Sequence, residues 1–483
     1  MKSNKCSIKT FFVCLCILAG VVNLAGATDT ATEIHFTIIS NTAVTFDWVG
    51  TANQVHYGTE SGNLTSTATA VDSNILPVSS PWVSANPGPF REARLTGLMQ
   101  GTTYYYKIGD DGVQHTFKTP PVPGTSDFVV VSVSDMHYSG ADMTAIMNDI
   151  AAVNPTVVIV PGDITGAKNT SQADCDIRFN DFMAWSQETP LMPAWGNHEW
   201  DTPTKDDMRN YKGRFDLPNP QAISQANSKP DGTGAYQLYE DWCWFDYGNV
   251  RFITLPEPWK WTGTWSEWLP KATSIMSAAQ ADPNIQFIIT YGHRPVYGSR
   301  VTPDATWQGW FNGLGDQFNK YVLHFCGHSH YYERTYPQHG VVHVIDGAAT
   351  GGMNTGDCVP LYTICPPPAW SAFRGQRWGF VKLHITANKI EGCYVCGPPG
   401  GGTNDVNCNE GEAIDAFTVV GPQGDLSKDG KVNMLDLARF AAHWLETGCV
   451  APDWCGGADL NQTDDMVDFY DLNILAGNWL EGV

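Results

Sequence analysis

Side chains that can bind metal ions follow apolar stretches at five places in the chain. They are Asp135-Met136-His137, Gly162-Asp163, Gly196-Asn197-His198-Glu199, His293 and Gly327-His328-Ser329-His330. Together they supply two carboxylates, an amide oxygen and several imidazoles. Such a mixed set of oxygen and nitrogen donors suits Zn, Mn or Fe better than Ca. Two divalent metals held about 3.5–4 Å apart activate water for attack on phosphorus, so the segments predict a dinuclear metal centre.

Each segment alone has a more ordinary explanation. Gly-Asp is common in turns, and a single Asp or His in a loop is more often solvated than bound to metal. The best single signal is Gly327-His328-Ser329-His330, because alternation in an extended segment puts both imidazoles on one side. The joint occurrence of all the segments, mostly after strand-like stretches, is what favours the metal centre.

The part of the chain that must position these segments, residues 125–420, predicts an α/β layered domain. Continuous apolar stretches, typical of strands buried on both faces, alternate in it with helical periods. The stretches lie at 128–133, 157–160, 287–291 and 321–326. Ligands in such folds bind at the carboxyl ends of the strands, which is where most of the metal-binding segments fall.

Residues 30–121 predict a separate all-β sandwich. Short β-branched or aromatic stretches alternate with turn residues, and Leu98 followed six residues later by Tyr104 resembles a tyrosine corner. The proline-rich segment 119–124 ends this domain as a stiff linker. No chemistry is visible here, and a structural role is expected.

Residues 1–27 predict a signal peptide and therefore a secreted protein. Three lysines precede an apolar stretch at 11–24, and Ala25-Gly26-Ala27 fits a cleavage site. The alternative is a membrane anchor, but the stretch is shorter than the ~20 residues needed to span a bilayer. No later segment is long and apolar enough to span, so no membrane span is expected after signal removal.

Several of the 13 cysteines are expected to form disulfides in an oxidising compartment. Local pairs are Cys358 with Cys365 and Cys449 with Cys455, whereas the pairing among Cys393, Cys396 and Cys408 stays open. A zinc knuckle at Cys393 and Cys396 is the alternative, although no second ligand pair accompanies it. Cys326 ends an apolar stretch and is expected to be inert core.

The charge balance argues against a nucleic-acid partner. The chain has 28 basic and 50 acidic residues, a net charge of −22, and no basic stripe. Binding to phosphate backbones requires a positive surface. A phosphate ester must instead be attracted by the charge of bound metal.

The motif order resembles the calcineurin-like metallophosphoesterase superfamily, and more closely the purple acid phosphatases. The resemblance covers about residues 30–420 and rests on Gly327-His328-Ser329-His330-Tyr331-Tyr332-Glu333-Arg334, on the fibronectin-III-like sandwich and on the closing segment 412–420. It implies a four-layer αββα catalytic domain and two metals. One metal would be bound by Asp135, His137, Asp163 and His330, and the other by Asp163, Asn197, His293 and His328, with Asp163 bridging.

The chain departs from the family at Gly166. Purple enzymes have a tyrosine there, three residues after the bridging aspartate, which binds ferric iron and gives the colour. Its replacement predicts a colourless enzyme with two divalent metals. The substrate-binding histidines of the plant enzymes are also missing after His293. Arg294 or Arg300 could contact phosphate instead, but a surface or helix-cap role is expected for them.

The predicted function is phosphomonoester hydrolysis through in-line attack of a metal-bridging hydroxide. His198, beside the ligand Asn197, is the expected catalytic acid for the leaving group. One alternative is a phosphodiesterase or nucleotide pyrophosphatase that uses the same metals. Another is a non-catalytic extracellular scaffold, although structural metal sites are normally closed and lack a neighbouring acid such as His198.

Residues 424–480 contain a duplicated unit that resembles a type I dockerin. Residues 432–437 are echoed by 467–472, and each copy ends in Trp-Leu. Oxygen donors spaced as in an EF-hand loop predict Ca²⁺ binding in a small α-helical module. The donors are Asp425, Ser427, Asp429, Asn433 and Asp436 in the first copy and Asp459, Asn461, Asp464, Asp468 and Asp471 in the second. The resemblance implies a cohesin-like protein partner; two acidic helix starts without calcium are the alternative.

Overall fold

A computed structural model describes most of the chain beyond the predicted signal peptide. It covers residues 29–72, 90–110, 112–137, 140–166, 172–200, 209–223, 240–258, 263–300, 304–349, 366–399, 406–421, 424–427, 432–450, 454–461 and 464–479. The predicted signal peptide, the Cys358–Cys365 pair and the calcium donor Asp429 lie outside these residues. No helix within them is long and apolar enough to cross a membrane.

The amino-terminal strands form two antiparallel four-stranded sheets, in the orders β1-β2-β6-β5 and β4-β3-β7-β8. The strands are β1 (Thr32–Ser40), β2 (Ala43–Val49), β3 (Gln54–Gly58), β4 (Ser66–Thr69), β5 (Val71–Asp72), β6 (Phe90–Leu95), β7 (Thr103–Ile108) and β8 (His115–Lys118). Phe36, Phe46 and Phe117 pack between the sheets. The Tyr104 hydroxyl accepts a hydrogen bond from the Met99 N–H at 3.0 Å, so the predicted sandwich and its tyrosine corner are confirmed.

The following segment forms two larger sheets, in the orders β11-β10-β9-β19-β20-β21 and β12-β13-β14-β15-β17-β16-β18. Its strands are β9 (Phe128–Ser132), β10 (Val157–Pro161), β11 (Leu191–Ala194), β12 (Trp244–Tyr247), β13 (Val250–Thr254), β14 (Phe287–Tyr291), β15 (Tyr321–Cys326), β16 (Tyr332–Thr335), β17 (Val342–Asp346), β18 (Ser371–Gly375), β19 (Gly379–Ile385), β20 (Lys389–Cys396) and β21 (Ala413–Val420). Its helices are α1 (Ala141–Val153), α2 (Gln172–Phe182), α3 (Asn197–Trp200), α4 (Arg209–Lys212), α5 (Thr264–Ala281) and α6 (Ala305–Gln317).

The two sheets pack face to face, with helices on their outer faces. The Tyr291 hydroxyl of β14 donates to the Met192 carbonyl of β11 at 3.2 Å, across the gap between the sheets. Helix α1 packs onto the first sheet, and α5 and α6 cover the second through Trp268 and Phe311. The predicted α/β layered domain is therefore confirmed. Strands β9, β10 and β11 run parallel to one another, as do β13, β14, β15 and β17, whereas β9 is antiparallel to β19. The predicted metal-binding segments leave the carboxyl ends of β9, β10, β11, β14 and β15.

Strand β1 joins the sandwich to the domain formed by the two larger sheets through a buried polar network. Arg214 donates from Nε to Glu33 Oε2 at 2.7 Å, and both side chains are almost fully buried. The ring nitrogens of His35 lie 2.6 Å from the backbone carbonyls of Glu33 and Arg214. Ile38, at the end of the same strand, belongs to the large core between the sheets. Strand β1 of the sandwich therefore packs directly against the domain formed by the two larger sheets.

The carboxyl-terminal repeat contains helices α7 (Met434–Ala442) and α8 (Phe469–Gly477). Each begins with a capping box, formed by Asn433 with Asp436 and by Asp468 with Asp471. The core is a small cluster that includes Val432, Phe440 and Leu475, closed by the Cys449–Cys455 disulfide.

The remaining cysteine predictions have mixed outcomes. Cys449 and Cys455 pair as predicted. Cys396 pairs with Cys408, so the zinc knuckle at Cys393 and Cys396 is wrong: the Cys396 sulfur is already in a disulfide. Cys326 is free and buried, as expected of inert core.

Candidate metal centre

Loops from both sheets bring the predicted ligands together. Asp135 and His137 follow β9, Asp163 follows β10, Asn197 and His198 begin α3 after β11, His293 follows β14, and His328 and His330 follow β15. Asp135, Asp163 and His328 have φ of +58°, +49° and +66°. A left-handed backbone is disfavoured for residues other than glycine, so three tight turns aim these side chains at some cost in stability.

Asp163 lies at the middle of the cluster. Its Oδ2 is 3.1 Å from His137 Nε2 and also 3.1 Å from His293 Nε2, which come from loops on different sheets. Its Oδ1 accepts the His198 backbone N–H at 2.8 Å. One carboxylate oxygen thus faces two imidazoles, as a carboxylate shared between two cations would require.

Asp135 gathers the other side of the cluster. Its Oδ1 lies 3.2 Å from His330 Nε2 and 3.9 Å from His137 Nε2. Its Oδ2 is held by the Ser134 hydroxyl at 2.8 Å and by the His328 backbone N–H at 2.9 Å. Oδ2 is thereby fixed by the protein, while Oδ1 faces the imidazoles. Ligand atoms of Asp135, His137 and His330 all lie within 4.8 Å of one another.

His293 and Asn197 provide donors on the opposite side of Asp163. His293 Nε2 lies 3.0 Å from Asn197 Oδ1. The other ring nitrogen, Nδ1, lies 3.1 Å from the Pro161 carbonyl, which can only accept, so Nδ1 carries the hydrogen. This contact leaves Nε2 facing the cluster, an arrangement typical of metal-binding histidines.

His328 is held differently from the other predicted ligands. Its Nε2 accepts a hydrogen bond from Arg294 Nη1 at 2.7 Å, and its ring packs edge-on against His293 with centroids 5.1 Å apart. Burial, with the neighbouring Arg294 charge, lowers the pKa of His328 well below its usual value. His328 is therefore a neutral acceptor beside the cluster.

His198 borders the centre on the side of His137. The two rings stack with centroids 4.2 Å apart, and His198 Nε2 lies 3.8 Å from Asp163 Oδ2. Part of the His198 side chain, 14%, reaches solvent, so a substrate can approach it. The position suits a proton donor at the edge of the metal centre.

Glu199 connects two of the ligand loops. Its carboxylate accepts backbone N–H bonds from Asp163, Ile164 and Gly196, at 2.9, 2.9 and 2.6 Å. Despite these bonds, burial and the nearby Asp163 charge raise the pKa of Glu199 to about 8. Gly196 must be a glycine, because a Cβ there would overlap Asp163 Oδ1. The contacts hold the Asp163 and Asn197 turns in register.

The electrostatics of the cluster fit bound cations. Burial disfavours ionisation, yet the imidazoles of His293 and His198 hold the pKa of Asp163 well below its usual range. Burial opposes ionisation of Asp135, but the His330 hydrogen bond and the charges of His293 and His330 together lower its pKa to about 2. Asp163 overcomes the opposing effect of burial and raises the pKa of His293 to about 10. Two buried carboxylates thus demand positive charge, which two divalent metals would supply by displacing protons.

The structure adds residues that the sequence did not assign to the centre. Glu199 lies inside the predicted segment Gly196-Asn197-His198-Glu199, and this position in the sequence could have indicated that it belongs to the centre. Arg294 was expected at the surface or at a helix cap; that expectation is wrong, since its side chain is 16% exposed and contacts His328. Glu257, the partner of Arg294, is remote in sequence and carried no signal.

Comparisons with known proteins agree with this arrangement. Residues 128–332 match the family described as calcineurin-like phosphoesterase, and residues 29–119 match the purple acid phosphatase N-terminal domain. The chain is 24% identical to human acid phosphatase type 7 over 437 residues, 78% of this chain and 90% of that protein. It is also 24% identical to the Arabidopsis thaliana probable inactive purple acid phosphatase 9 over 424 residues, 75% of this chain and 62% of the relative.

Solved structures share the fold. A purple acid phosphatase from yellow lupin seeds superimposes with a TM-score of 0.61 at 20% identity, over 81% of this chain and 74% of that one. PhoD superimposes with a TM-score of 0.57 at 12% identity, over 81% of this chain and 91% of that one. The two domain matches, the relatives and the clustered side chains together show a phosphatase-type hydrolase, in which a region similar to calcineurin-like phosphoesterases follows a region similar to the purple acid phosphatase N-terminal domain.

Proposed function

We propose that the chain hydrolyses phosphomonoesters with two divalent metals. The observation that carries the proposal is Asp163 Oδ2, placed 3.1 Å from both His137 Nε2 and His293 Nε2. Asp135, His137, Asp163 and His330 would hold one metal. Asp163, Asn197, His293 and His328 would hold the other, and His328 would have to give up its hydrogen bond from Arg294 or its ring hydrogen to do so. Zn, Mn or Fe bound there would lower the pKa of a coordinated water and would neutralise negative charge on the phosphoryl oxygens.

His198 would donate the proton to the leaving alkoxide. Its ring is fixed by stacking on His137, and its backbone N–H is bound to Asp163. General acid catalysis is worth ~10²–10⁴-fold when the leaving group is poor. His198→Ala should therefore slow an alkyl phosphate strongly and a nitrophenyl phosphate much less. Equal losses on the two esters would exclude the acid role.

The experiment that tests the function combines metal analysis with paired substrates. We expect two metals per chain, and faster hydrolysis of nitrophenyl phosphate than of bis(nitrophenyl) phosphate. The reverse preference would assign the chain to the diesterases. Hydrolysis of neither substrate, with both metals bound, would favour the scaffold alternative.

The proposed enzyme is colourless because residue 166 is glycine. A Cβ at Gly166 would lie 2.6 Å from the His137 carbonyl oxygen and 3.0 Å from His137 Cα. The His137 backbone therefore occupies the space that a tyrosine side chain would need to leave residue 166. A strong visible charge-transfer band in the purified protein would contradict the proposal of two divalent metals.

The carboxyl-terminal repeat is proposed to bind Ca²⁺ and a cohesin-like protein. Equivalent positions at the starts of α7 and α8 carry exposed apolar pairs, Met434-Leu435 and Phe469-Tyr470. Asp436 and Asp471, at the predicted last ligand positions, are fully buried and accept loop N–H bonds from Ser427 and Asn461. Exposed apolar side chains beside an ordered loop suit a protein partner.

Export from the cell completes the proposal. The basic start, apolar stretch and Ala25-Gly26-Ala27 support cleavage after Ala27, and the Cys396–Cys408 and Cys449–Cys455 disulfides suit an oxidising compartment. Amino-terminal sequencing of the protein recovered from culture medium tests it. A recovered chain that still begins at Met1 would exclude cleavage.

A further inference from the structure

Two arginines that follow β14 converge on His328. Arg294 Nη1 donates to His328 Nε2 at 2.7 Å, and Arg300 Nη1 donates to the His328 backbone carbonyl at 3.0 Å. Arg294 directly follows the predicted ligand His293 in the chain, and its guanidinium contacts a second predicted ligand, His328. This places a fixed positive charge at the rim of the metal centre.

Glu257 holds the Arg294 guanidinium from the other side. Arg294 Nε donates to Glu257 Oε1 at 2.8 Å, and the Glu257 side chain has no exposed surface. Its second oxygen, Oε2, is also buried and accepts no hydrogen bond within the described part of the chain. A buried carboxylate is costly unless it is paired, so Arg294 and Glu257 hold each other in place.

The position of Arg294 suits an anion bound at the metal centre. A guanidinium is planar and can donate two parallel hydrogen bonds to phosphate oxygens, which an ammonium or imidazole cannot do. The chain as a whole carries a net charge of −22, so attraction of a phosphate ester must come from local positive groups. Arg294 is such a group, 2.7 Å from a residue of the centre.

We propose that Arg294 binds the phosphoryl oxygens of the substrate and that Glu257 is its positioning residue. The proposal rests on the proposed phosphatase function and names the residue that holds the substrate's phosphate. Glu257 acts only through Arg294: it fixes the plane of the guanidinium and does not touch substrate.

Binding of inorganic phosphate to the full-length, metal-loaded protein tests the proposal by calorimetry. Arg294→Ala should weaken phosphate binding by about 10- to 100-fold, the effect of removing a hydrogen bond to a charged group. Arg294→Lys keeps the charge but not the planar fork, so we expect a smaller loss. Glu257→Gln keeps an acceptor for Nε and should raise KM for a monoester several-fold with little change in kcat.

Arg91→Ala is the matched control. Arg91 is a partly exposed arginine in the sandwich that pairs with Asp72, so its loss should leave phosphate affinity unchanged. Metal content is measured for every variant, because Arg294 also contacts a predicted ligand.

Each experimental result leads to a different conclusion about Arg294. A fall in phosphate affinity at unchanged metal content supports the proposal. Unchanged affinity in Arg294→Ala overturns it, and so does a fall that follows the loss of one metal per chain, which would assign Arg294 to holding His328. If the wild type binds metals and phosphate but hydrolyses no ester, the proposed hydrolytic function fails while the affinity series still decides the role of Arg294.

Discussion

The metal centre and the carboxyl-terminal repeat both gather carboxylates, but over very different lengths of chain. The centre draws on loops from residue 135 to residue 330, at strand ends in two sheets. Each predicted calcium loop uses one short segment and the first turn of the helix that follows it. The first arrangement is positioned by a large core, whereas the second has only a small cluster around Val432, Phe440 and Leu475.

Because of this difference, the two proposed cation sites should contribute differently to stability. Strands buried on both faces fix the catalytic donors, so cations there serve chemistry more than folding. A module with little core depends on cations or disulfides for its order. Loss of a ligand from the metal centre should therefore abolish activity and leave the fold intact. Loss of a ligand from the repeat should instead disorder the repeat.

Asp163→Asn is the change with the largest expected effect. The amide keeps an oxygen that can accept the His198 N–H, but it removes the charge that faces both His137 and His293. We expect metal binding and turnover to be lost, with the circular dichroism spectrum unchanged. Unfolding of this variant would break the comparison, because it would show that the centre stabilises the fold.

The sequence predicted most of the side chains that the structure gathers at the candidate metal centre, because their signal is local. A strand ends, a ligand motif follows, and parallel strands bring their carboxyl ends to one edge. It did not predict that Arg294 meets Glu257, or that Glu33 meets Arg214 across 181 positions. Hydrophobic periodicity reports which face of a segment is buried; it carries no information on which polar groups meet there.

The sequence pattern does not predict the short edge strands β4 and β5, for a related reason. β4 is Ser-Thr-Ala-Thr with every second residue exposed, and β5 is a two-residue strand. Such segments contribute little apolar surface, so their pairing is determined by the neighbouring strands rather than by their own pattern.

Glu33→Gln tests whether the Glu33–Arg214 ion pair, outside the metal centre, helps to position the metal-binding side chains. The change removes the Glu33 charge but leaves Arg214 paired with Asp176 at 2.7 Å, so we expect a cost of about 1–3 kcal/mol. Arg214 follows α4, whose Tyr211 hydroxyl lies 2.7 Å from the Thr165 hydroxyl in the Asp163 loop. We expect lower stability in denaturant titrations and weaker metal binding. Asp72→Asn, which breaks an exposed pair with Arg91, should cost no more than about 1 kcal/mol.

Calcium removal should affect the repeat alone. At a free calcium concentration 100 times the dissociation constant, binding contributes about 2.7 kcal/mol, roughly a 100-fold change in the open population. Limited proteolysis of the full chain should therefore cleave within residues 424–479 much faster in a calcium chelator, while residues 128–420 stay intact. Asp436→Asn should reproduce the effect in the presence of calcium. Equal cleavage rates in all conditions would exclude a calcium-ordered repeat.

Mild acid should destabilise the domain of the two large sheets more than the repeat, whereas calcium removal should destabilise the repeat. His343 of β17 is buried next to His324 of β15, and neither ring nitrogen of His343 has a hydrogen-bond partner within the described residues. Burial, with the neighbouring His324, lowers the pKa of His343 well below its usual value. The repeat contains a single histidine, the partly exposed His443.

The sign of the effect follows from proton binding. Below about pH 6.5 the unfolded chain protonates residue 343 and the folded chain does not, so stability falls as pH decreases, by about 1.4 kcal/mol per pH unit for each such histidine. His343→Leu should reduce this slope by that amount between pH 6.5 and 5, in denaturant titrations of the catalytic layers. His339→Gln, which replaces an exposed histidine, is the control for removal of a histidine at the surface. Parallel pH profiles for the wild type and His343→Leu would show that His343 does not make the catalytic layers sensitive to acid.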